Sequence, residues 1–559
     1  MRVLPLAALP LAGLLLVAGC ADADKAEKVA PPTTGPGGAP PSPAAQSSGA
    51  YSKEGWFGGA DGLHARLDIR TVQRQAGKAV LRFSVTSLDT ATKSVPFEIA
   101  LVDPVGRRLY KPTGVTSGSG ITPGSTREMA AEYPVIPADV AKVTAITPGT
   151  AGEFTGIPVT TGSASPSAVA PSAVAPSAVA PSSAAPSSSV PTSSAPSSAP
   201  SSRPPSVGVE PSVGAEPFGR STPLSPSPST TPTSSTTPSP STTPTSSPSR
   251  GPGPNPADLY DIVEGETKGV TSSESNVTVN LRADVLFDTD SAKLSSRAKA
   301  VLDEAAQQIK AKASQALTFE GHTDSKGDDA HNLKLSEERA QAVVKEMKSR
   351  LGSGFTYTAS GKGEAEPVAK EGGSDDAAAR ARNRRVEISY QVKQTTTQTT
   401  TASPERGSAA PSAPAPFRAE DGTKVASRYG RFGQAKRRID VKPFYRDGAY
   451  IVAVFDIVNE GPGNTPTNAA YAHRDYPGGV FTAFSLQVPG GKDVYRAVRV
   501  GPGTPGSPSL YVDPGGAAFR TGVNQPVRGF AYIPAPPGKV TSVVFDAGPF
   551  GKVNNVPVR

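Results

Sequence analysis

Residues 163–257 hold no stretch from which a hydrophobic core could be assembled. Alanine-proline-serine-valine units recur there (Ala170-Pro171-Ser172-Ala173-Val174, then Ala175-Pro176-Ser177-Ala178-Val179) and give way to Ser/Thr/Pro runs. Such a composition buries too little apolar surface to offset its conformational entropy, so it divides the chain into separate globular blocks. For about 95 residues, the limits of flexible coil and extended polyproline bracket roughly 55 to 300 Å, which predicts a tether that carries one block away from another. Clustered Ser and Thr beside Pro also suit O-glycosylation. Residues 21–50 and 393–416 share the bias and are read as disordered linkers too. With 59 prolines, 56 glycines and 6% aromatic residues in 559, a large fraction of the chain is expected to be linker.

The single cysteine, Cys20, closes the only strongly apolar segment. Met1-Arg2 makes a short basic start, and Val3 to Val17 is nearly all Leu, Ala, Val and Pro. Pro5 and Pro10 interrupt a run already too short to span a bilayer, so residues 1–20 read as a signal peptide. Its end, Val17-Ala18-Gly19-Cys20, resembles the lipobox of bacterial lipoproteins. That resemblance implies diacylglycerol on the Cys20 thiol, a membrane anchor, and cleavage that leaves Cys20 as the first residue. The formal charge of +8 suits weak attraction to anionic lipid or wall polymer and identifies no partner.

Two blocks have the composition of all-β, sandwich-like domains: residues 51–162 and 417–559. In the first, Leu67-Asp68-Ile69 and Val80 to Val85 partly alternate, as half-buried strands do. Val95–Val102, Gly106–Tyr110 and Val140–Ile146 are further strand candidates. The last block echoes the first: Leu67-Asp68-Ile69-Arg70 against Ile439-Asp440-Val441-Lys442, and Val80 to Val85 against Val452 to Ile457. Phe97 to Leu101 matches Phe484 to Val488, Tyr133 matches Tyr532, and both blocks close on a Pro-Val pair, Pro158-Val159 and Pro557-Val558. Ordered agreement over these segments predicts an internal repeat. Neither copy carries a motif that implies chemistry.

Residues 258–392 instead alternate strand and helix. Val277 to Leu281 has period two. Ala298, Val301, Leu302, Ala305 and Ile309 make one apolar helical stripe. Leu317 and Phe319 mark a strand that ends at Gly321-His322-Thr323-Asp324. A second helix is expected to start near Ser336 as N-cap, with Ala340, Val343, Val344, Met347 and Leu351 inside. Phe355 with Tyr357, then Val386, Ile388 and Tyr390, add two strands. The pattern is a βαβαβ-type α/β sandwich.

In this block Phe287-Asp288, Gly321-His322-Thr323-Asp324, Gly327, Asn332, Leu335-Ser336, Arg339-Ala340, Gly361-Lys362-Gly363-Glu364, Pro367 and Asn383-Arg384-Arg385-Val386-Glu387 appear in order. Together they resemble the OmpA-like family of peptidoglycan-binding domains, including the wall-binding domain of Pal lipoproteins, with a core at 280–392. The resemblance implies non-covalent binding of the diaminopimelate of a stem peptide, with the family's Asp and Arg falling on Asp324 and Arg339. The chemistry is coherent. Diaminopimelate ends in an ammonium and a carboxylate on one carbon, which calls for an acceptor-only anion beside a forked cation. The expected helix start at Ser336 would put Arg339 in a first turn, whose free N–H groups favour an anion. The alternative for the pair is a bare Asp–Arg salt bridge. Phe287, Asp288, Thr289, Thr323 and Asn332 are expected to line the pocket. Arg385 either meets a second carboxylate or pins the last strand. The loop Lys370 to Arg382 is the variable approach to Asn383.

Other signals point to helix surface or turn. Ser296-Arg297-Ala298-Lys299 has the S-x-x-K spacing of penicillin-binding proteins but no K-T-G partner. His322 and His331 flank Asp324, yet four histidines and one cysteine make a metal site an unpromising reading. The basic run from Arg418 to Arg446 is read as a solvated face or a contact for anionic wall polymer or lipid, not nucleic acid. The outer blocks offer one histidine each, His64 and His473, and no spaced acid pair, so no enzyme is expected. The expected whole is a non-catalytic, exported lipoprotein of the cell envelope. It faces the wall, has no cofactor beyond the lipid on Cys20, and its partners are peptidoglycan, a membrane, and proteins or anionic wall polymers at the β-domains.

Overall fold

The computed structural model describes residues 51–161, 256–393 and 412–559, apart from 59–61, 115, 374–375, 467–468, 504–507 and 516–521. Cys20 and its leader, the segment 21–50 and nearly all of the two later linkers lie outside the described residues. The molecule is mixed α/β and mostly sheet. No helix among the described residues is long and apolar enough to cross a membrane.

The middle block supplies the longest helices. Its strands run in the order Lys268–Ser272, Asn276–Arg282, Arg385–Val392, Ala313–His322, Thr356–Gly361; all neighbours are antiparallel except the last pair. The helices Ala298–Lys312 and Asp329–Leu351 share one core with this sheet: Leu302, Ile309, Val343 and Met347 pack with Val279, Leu281, Phe319, Val386 and Ile388. Period two in the strands and 3.6 in the helices supply the matching apolar faces.

The second helix begins earlier than expected. Asp328 is its N-cap, and its carboxylate accepts from the Ala330 and His331 N–H groups at 3.0 and 3.2 Å. Ser336 lies inside the helix instead. Its hydroxyl donates to the Leu333 carbonyl at 2.7 Å and accepts from the Gly363 N–H at 3.0 Å. A serine is as useful there, because it satisfies a buried backbone donor on the neighbouring loop. The loop before Asn383 also differs, since Asp376–Asn383 is a short helix. Three consecutive alanines, an acid at the start and arginines in the last turn favour it.

In the first block Val95–Val102 is not one strand. Lys93–Phe97 pairs with Thr116–Ile121, whereas Ala100–Asp103 pairs with Arg108–Tyr110 and Lys142–Ile146. The chain changes sheets at Glu98-Ile99, which an apolar run alone does not reveal.

The two outer blocks pair their strands alike. In the first, Leu67, Asp68 and Ile69 face Val85, Ser84 and Phe83. In the last, Ile439, Asp440 and Val441 face Ile457, Asp456 and Phe455, the register that the sequence echo implies. The third strand slips by one: Ala79 faces Tyr133, whereas Ile451 faces Ile533. Tyr133 therefore enters the core of the first block, and Tyr532 the opposite face, between blocks.

The strand Ala257–Glu264 joins the blocks. It pairs with Lys268–Ser272 of the middle block, with Arg108 and Leu109 of the first, and with Val494, Tyr495, Arg499 and Val500 of the last. A shared core fills the junction, with Val102, Leu109 and Ile146 against Leu259, Tyr450, Val452, Val498, Phe530 and Tyr532. Buried charges cross it as well. Arg528 forks onto Glu153 at 2.8 and 3.0 Å and onto Asp421 at 2.7 and 2.8 Å, and the Tyr445 hydroxyl donates to Glu153 at 2.6 Å. Burial alone would raise the Glu153 carboxyl, but Arg528 and Lys53 outweigh it and hold it at about 2. The tether expectation is thus corrected. The described residues on either side, Thr161 and Ala257, both lie on the first block, Ala257 pairing with Leu109.

Candidate functional site

At the helix-side end of the middle sheet lies a cleft of about 720 Å³. Its walls come from the short helix Ala283–Leu286 and the loop after it, the end of the strand Ala313–His322, the first turns of Asp329–Leu351, and Arg384. Close packing sets its depth. A Cβ on Gly321 would lie 1.9 Å from the Ser336 carbonyl oxygen, and one on Gly361 would lie 2.6 Å from the Leu333 carbonyl oxygen. Only glycine lets the helix approach the strand ends this closely.

Phe287, Asp288, Thr289, Thr323, Asp324, Asn332 and Arg339 all line the cleft. Arg339 is 5% exposed, and its guanidinium lies over the Phe287 ring, 5.4 Å from the centroid. Its Nε donates to the Ser291 carbonyl at 2.9 Å, and its terminal nitrogens have no partner among the described residues. Burial lowers its pKa, with the nearby aspartates acting the other way. Arg339 sits in the third turn of its helix rather than the first, so helix-end N–H groups do not surround it.

Asp324 forms no salt bridge with Arg339. It pairs with Arg384 at 2.5 Å and accepts from the Lys326 N–H at 3.3 Å. Arg384 is shared, since it also forks onto Asp284 at 2.8 and 2.6 Å, and these bonds raise its pKa against the effect of burial. The buried Thr323 Oγ1 has no hydrogen-bond partner among the described residues. Asn332 supports the wall, its amide donating to the Lys326 carbonyl at 3.0 Å and to Glu364 at 2.8 Å. Asp288, Thr289 and Asp290 form an exposed rim, and His331 meets Asp290 at 3.0 Å. A planar cation with free donors thus lies beside a carboxylate held by a second arginine, an arrangement suited to a zwitterion.

Arg385 lies outside this cleft. It is 4% exposed and touches the Glu366 and Asn383 carbonyls and Glu387, on the sheet face away from the helices. Arg384 takes the place in the cleft. Strand alternation carries the signal: Val386, Ile388 and Tyr390 mark the helix-side face, and the even-numbered arginine shares their parity. Asn383 fixes this junction, accepting from the Val368 and Ala369 N–H groups at 3.0 and 2.9 Å. His322 is buried with no hydrogen-bond partner among the described residues, and burial beside Arg385 and Lys362 lowers its pKa to about 3. No group of three or more potential metal ligands occurs among the described residues.

The basic run of the last block is largely consumed in its fold. Arg437 is buried on Asn459 and Thr465, Arg438 meets Asp440 and Glu460, Lys442 meets Asp456, and Arg418 lies over Tyr445.

Residues 286–384 match the family model described as "OmpA family". Over 130 residues the chain is 32% identical to the peptidoglycan-associated lipoprotein of Rhizobium meliloti, covering 23% of this chain and 72% of that protein. The chain belongs to the OmpA family. Through the same domain this OmpA-family chain is 40% identical over 111 residues to outer membrane protein A of Bordetella avium, covering 20% of this chain and 55% of that one. It is also 40% identical over 116 residues to outer membrane porin F of Pseudomonas aeruginosa, covering 21% and 32%. The chain therefore spans about half or less of these two relatives. Among solved structures, the peptidoglycan-associated lipoprotein from Burkholderia pseudomallei is similar at 29% identity, covering 20% of this chain and 88% of that one, with a TM-score of 0.16.

Proposed function

We propose that this OmpA-family chain is a non-catalytic cell-envelope lipoprotein that binds peptidoglycan non-covalently and ties a membrane to the wall. The observation that carries the reading is Arg339, buried on Phe287, with terminal nitrogens free to meet a ligand beside Asp324. In this reading Arg339 takes the carboxylate of a diaminopimelate end, and Asp324 takes its ammonium. Thr323 Oγ1 offers a further hydrogen bond, and the Phe287 ring holds the guanidinium flat. Asp288 and Thr289 flank the entrance. Relatives named as outer membrane and peptidoglycan-associated proteins support the location and the ligand class.

Cys20 at the end of the leader supplies the lipid in this proposal. The shared register of the first hairpin in the outer blocks supports a duplication of one ancestral unit. Because Ala257 pairs with the first block, the reach from membrane to wall in this proposal falls to residues 21–50, at most about 3.1 Å per residue if fully extended. Co-sedimentation with purified sacculi tests the reading. Wild type is expected to pellet, and Asp324→Ala and Arg339→Ala to remain soluble; equal pelleting of all three would overturn the cleft assignment.

A further inference from the structure

A second recess, of about 650 Å³, opens on the opposite side of the middle block, where the last block docks against it. The strand Ala257–Glu264 contributes Ile262 to Glu264, the sheet contributes Asn280 and Arg282, and the last block closes it with Tyr476, Arg499 and Tyr511. Five arginines and one lysine line it against two carboxylates, Glu264 and Asp475. Both carboxylates are already engaged. Glu264 accepts from the Tyr476 hydroxyl at 2.6 Å and from Arg496 at 2.8 Å, while Asp475 accepts from Arg382 at 2.5 Å and the Lys370 N–H at 2.8 Å.

Two of the arginines are not matched in the same way. Arg282 reaches only the Gly265 carbonyl, at 3.4 Å, and Arg499 only the carbonyls of Gly501 and Pro502, with Tyr260 beneath it at 5.5 Å. Neither has a carboxylate within salt-bridge distance among the described residues. Asn280 Oδ1, Arg382 Nε and Arg385 Nε are buried here without hydrogen-bond partners among the described residues. Burial lowers the pKa of Arg282 and Arg499 alike, as expected of guanidinium groups with no carboxylate within salt-bridge distance. Buried polar groups are normally satisfied, and an unmatched positive recess of drug-like volume lined by tyrosines has the chemistry of an anion site.

We propose that this interblock recess binds a small organic anion, a phosphate monoester or a carboxylate, between Arg282 and Arg499, with its carbon skeleton against Tyr476 and Tyr511. The site exists only when the last block is docked, because Arg499 and both tyrosines come from that block. It is separate from the peptidoglycan cleft, and its failure would leave that reading intact.

The test is calorimetric titration of the full mature chain, at low ionic strength, with inorganic phosphate, glycerol 3-phosphate and citrate, using xylitol as the uncharged control. One saturable site for at least one anion is expected, weakened roughly tenfold or more by Arg499→Ala and by Arg282→Ala. Phosphates binding without citrate would name a phosphate source, and the reverse a carboxylate source. Asp324→Ala is expected to bind the anion as wild type does. Because arginine loss can disturb the fold, Thr271→Glu supplies a carboxylate inside the recess; it is expected to raise the melting temperature and abolish anion binding. Absence of binding by all three anions to the wild type, or undiminished binding by Thr271→Glu, overturns the proposal and leaves a water-filled gap between blocks.

Discussion

The cleft and the interblock recess lie on two sides of one sheet and are both lined by arginine, yet they balance charge oppositely. In the cleft, Asp284, Asp288, Asp290 and Asp324 stand among Arg339 and Arg384, so both signs line one cavity. In the recess the two acids are spent on protein donors, and the guanidinium groups lean on backbone carbonyls. Adjacent residues Arg384 and Arg385 point one into each site. Counting charges in a sequence does not separate the two cavities; which charged groups the fold leaves uncommitted does.

The comparison breaks most readily at the docking of the outer blocks. Arg528→Ala strands the buried Glu153 carboxylate and the half-buried Asp421 carboxylate and is expected to cost about 3–5 kcal/mol in thermal or urea melts. Because the last block that Arg528 anchors also walls the recess, the variant is expected to weaken anion binding while still pelleting with sacculi. Poor pelleting as well would mean that cleft and docking act as one unit. Arg339→Ala is expected to weaken sacculus binding by about 3 kcal/mol, on the order of a hundredfold, with recess titrations unchanged. Arg339→Lys is expected to recover little, since an ammonium cannot fork onto a carboxylate.

His322, on the strand between the two sites, gives a pH signature. Its folded pKa of about 3 lies below the unfolded value of 6.5, so its contribution is full above pH 6.5 and is lost as pH falls towards 3. The expected loss is about 2 kcal/mol by pH 5, measured by urea melts, and His322→Gln should flatten that slope. The smallest effect is expected from Asp284→Asn. Freed from one of its two carboxylates, Arg384 would hold Asp324 more fully and weaken sacculus binding by about threefold or less. A larger loss would make Asp284 a direct ligand contact.

Much of the middle block was legible because its elements carry strong periods. The stripe Ala298, Val301, Leu302, Ala305 and Ile309 is buried as read. So are Val277, Val279 and Leu281 on their strand. Six cleft residues, Phe287, Asp288, Thr323, Asp324, Asn332 and Arg339, stand among the motif residues that carry the resemblance to the OmpA-like family. The helix start was misplaced because Asp328 and Ser336 are both good caps, and only the demand of the Gly363 N–H decides which one is used. For Arg385 the sequence leaves open a second carboxylate or the pinning of the last strand; strand parity with Val386, Ile388 and Tyr390 places it away from the cleft and Arg384 in it.

By itself the sequence determined the division into blocks of distinct composition, the α/β pattern of the middle one, and the charged residues available to the cleft. These follow from local periodicity and residue chemistry, which act over a few residues at a time. Only the tertiary structure decided that Asp324 engages Arg384 and leaves Arg339 free, that Ala257–Glu264 draws three blocks onto one strand, and that a positive recess lies between them. Those outcomes depend on which distant donors and acceptors compete for the same partner, and that competition is settled by packing across hundreds of residues.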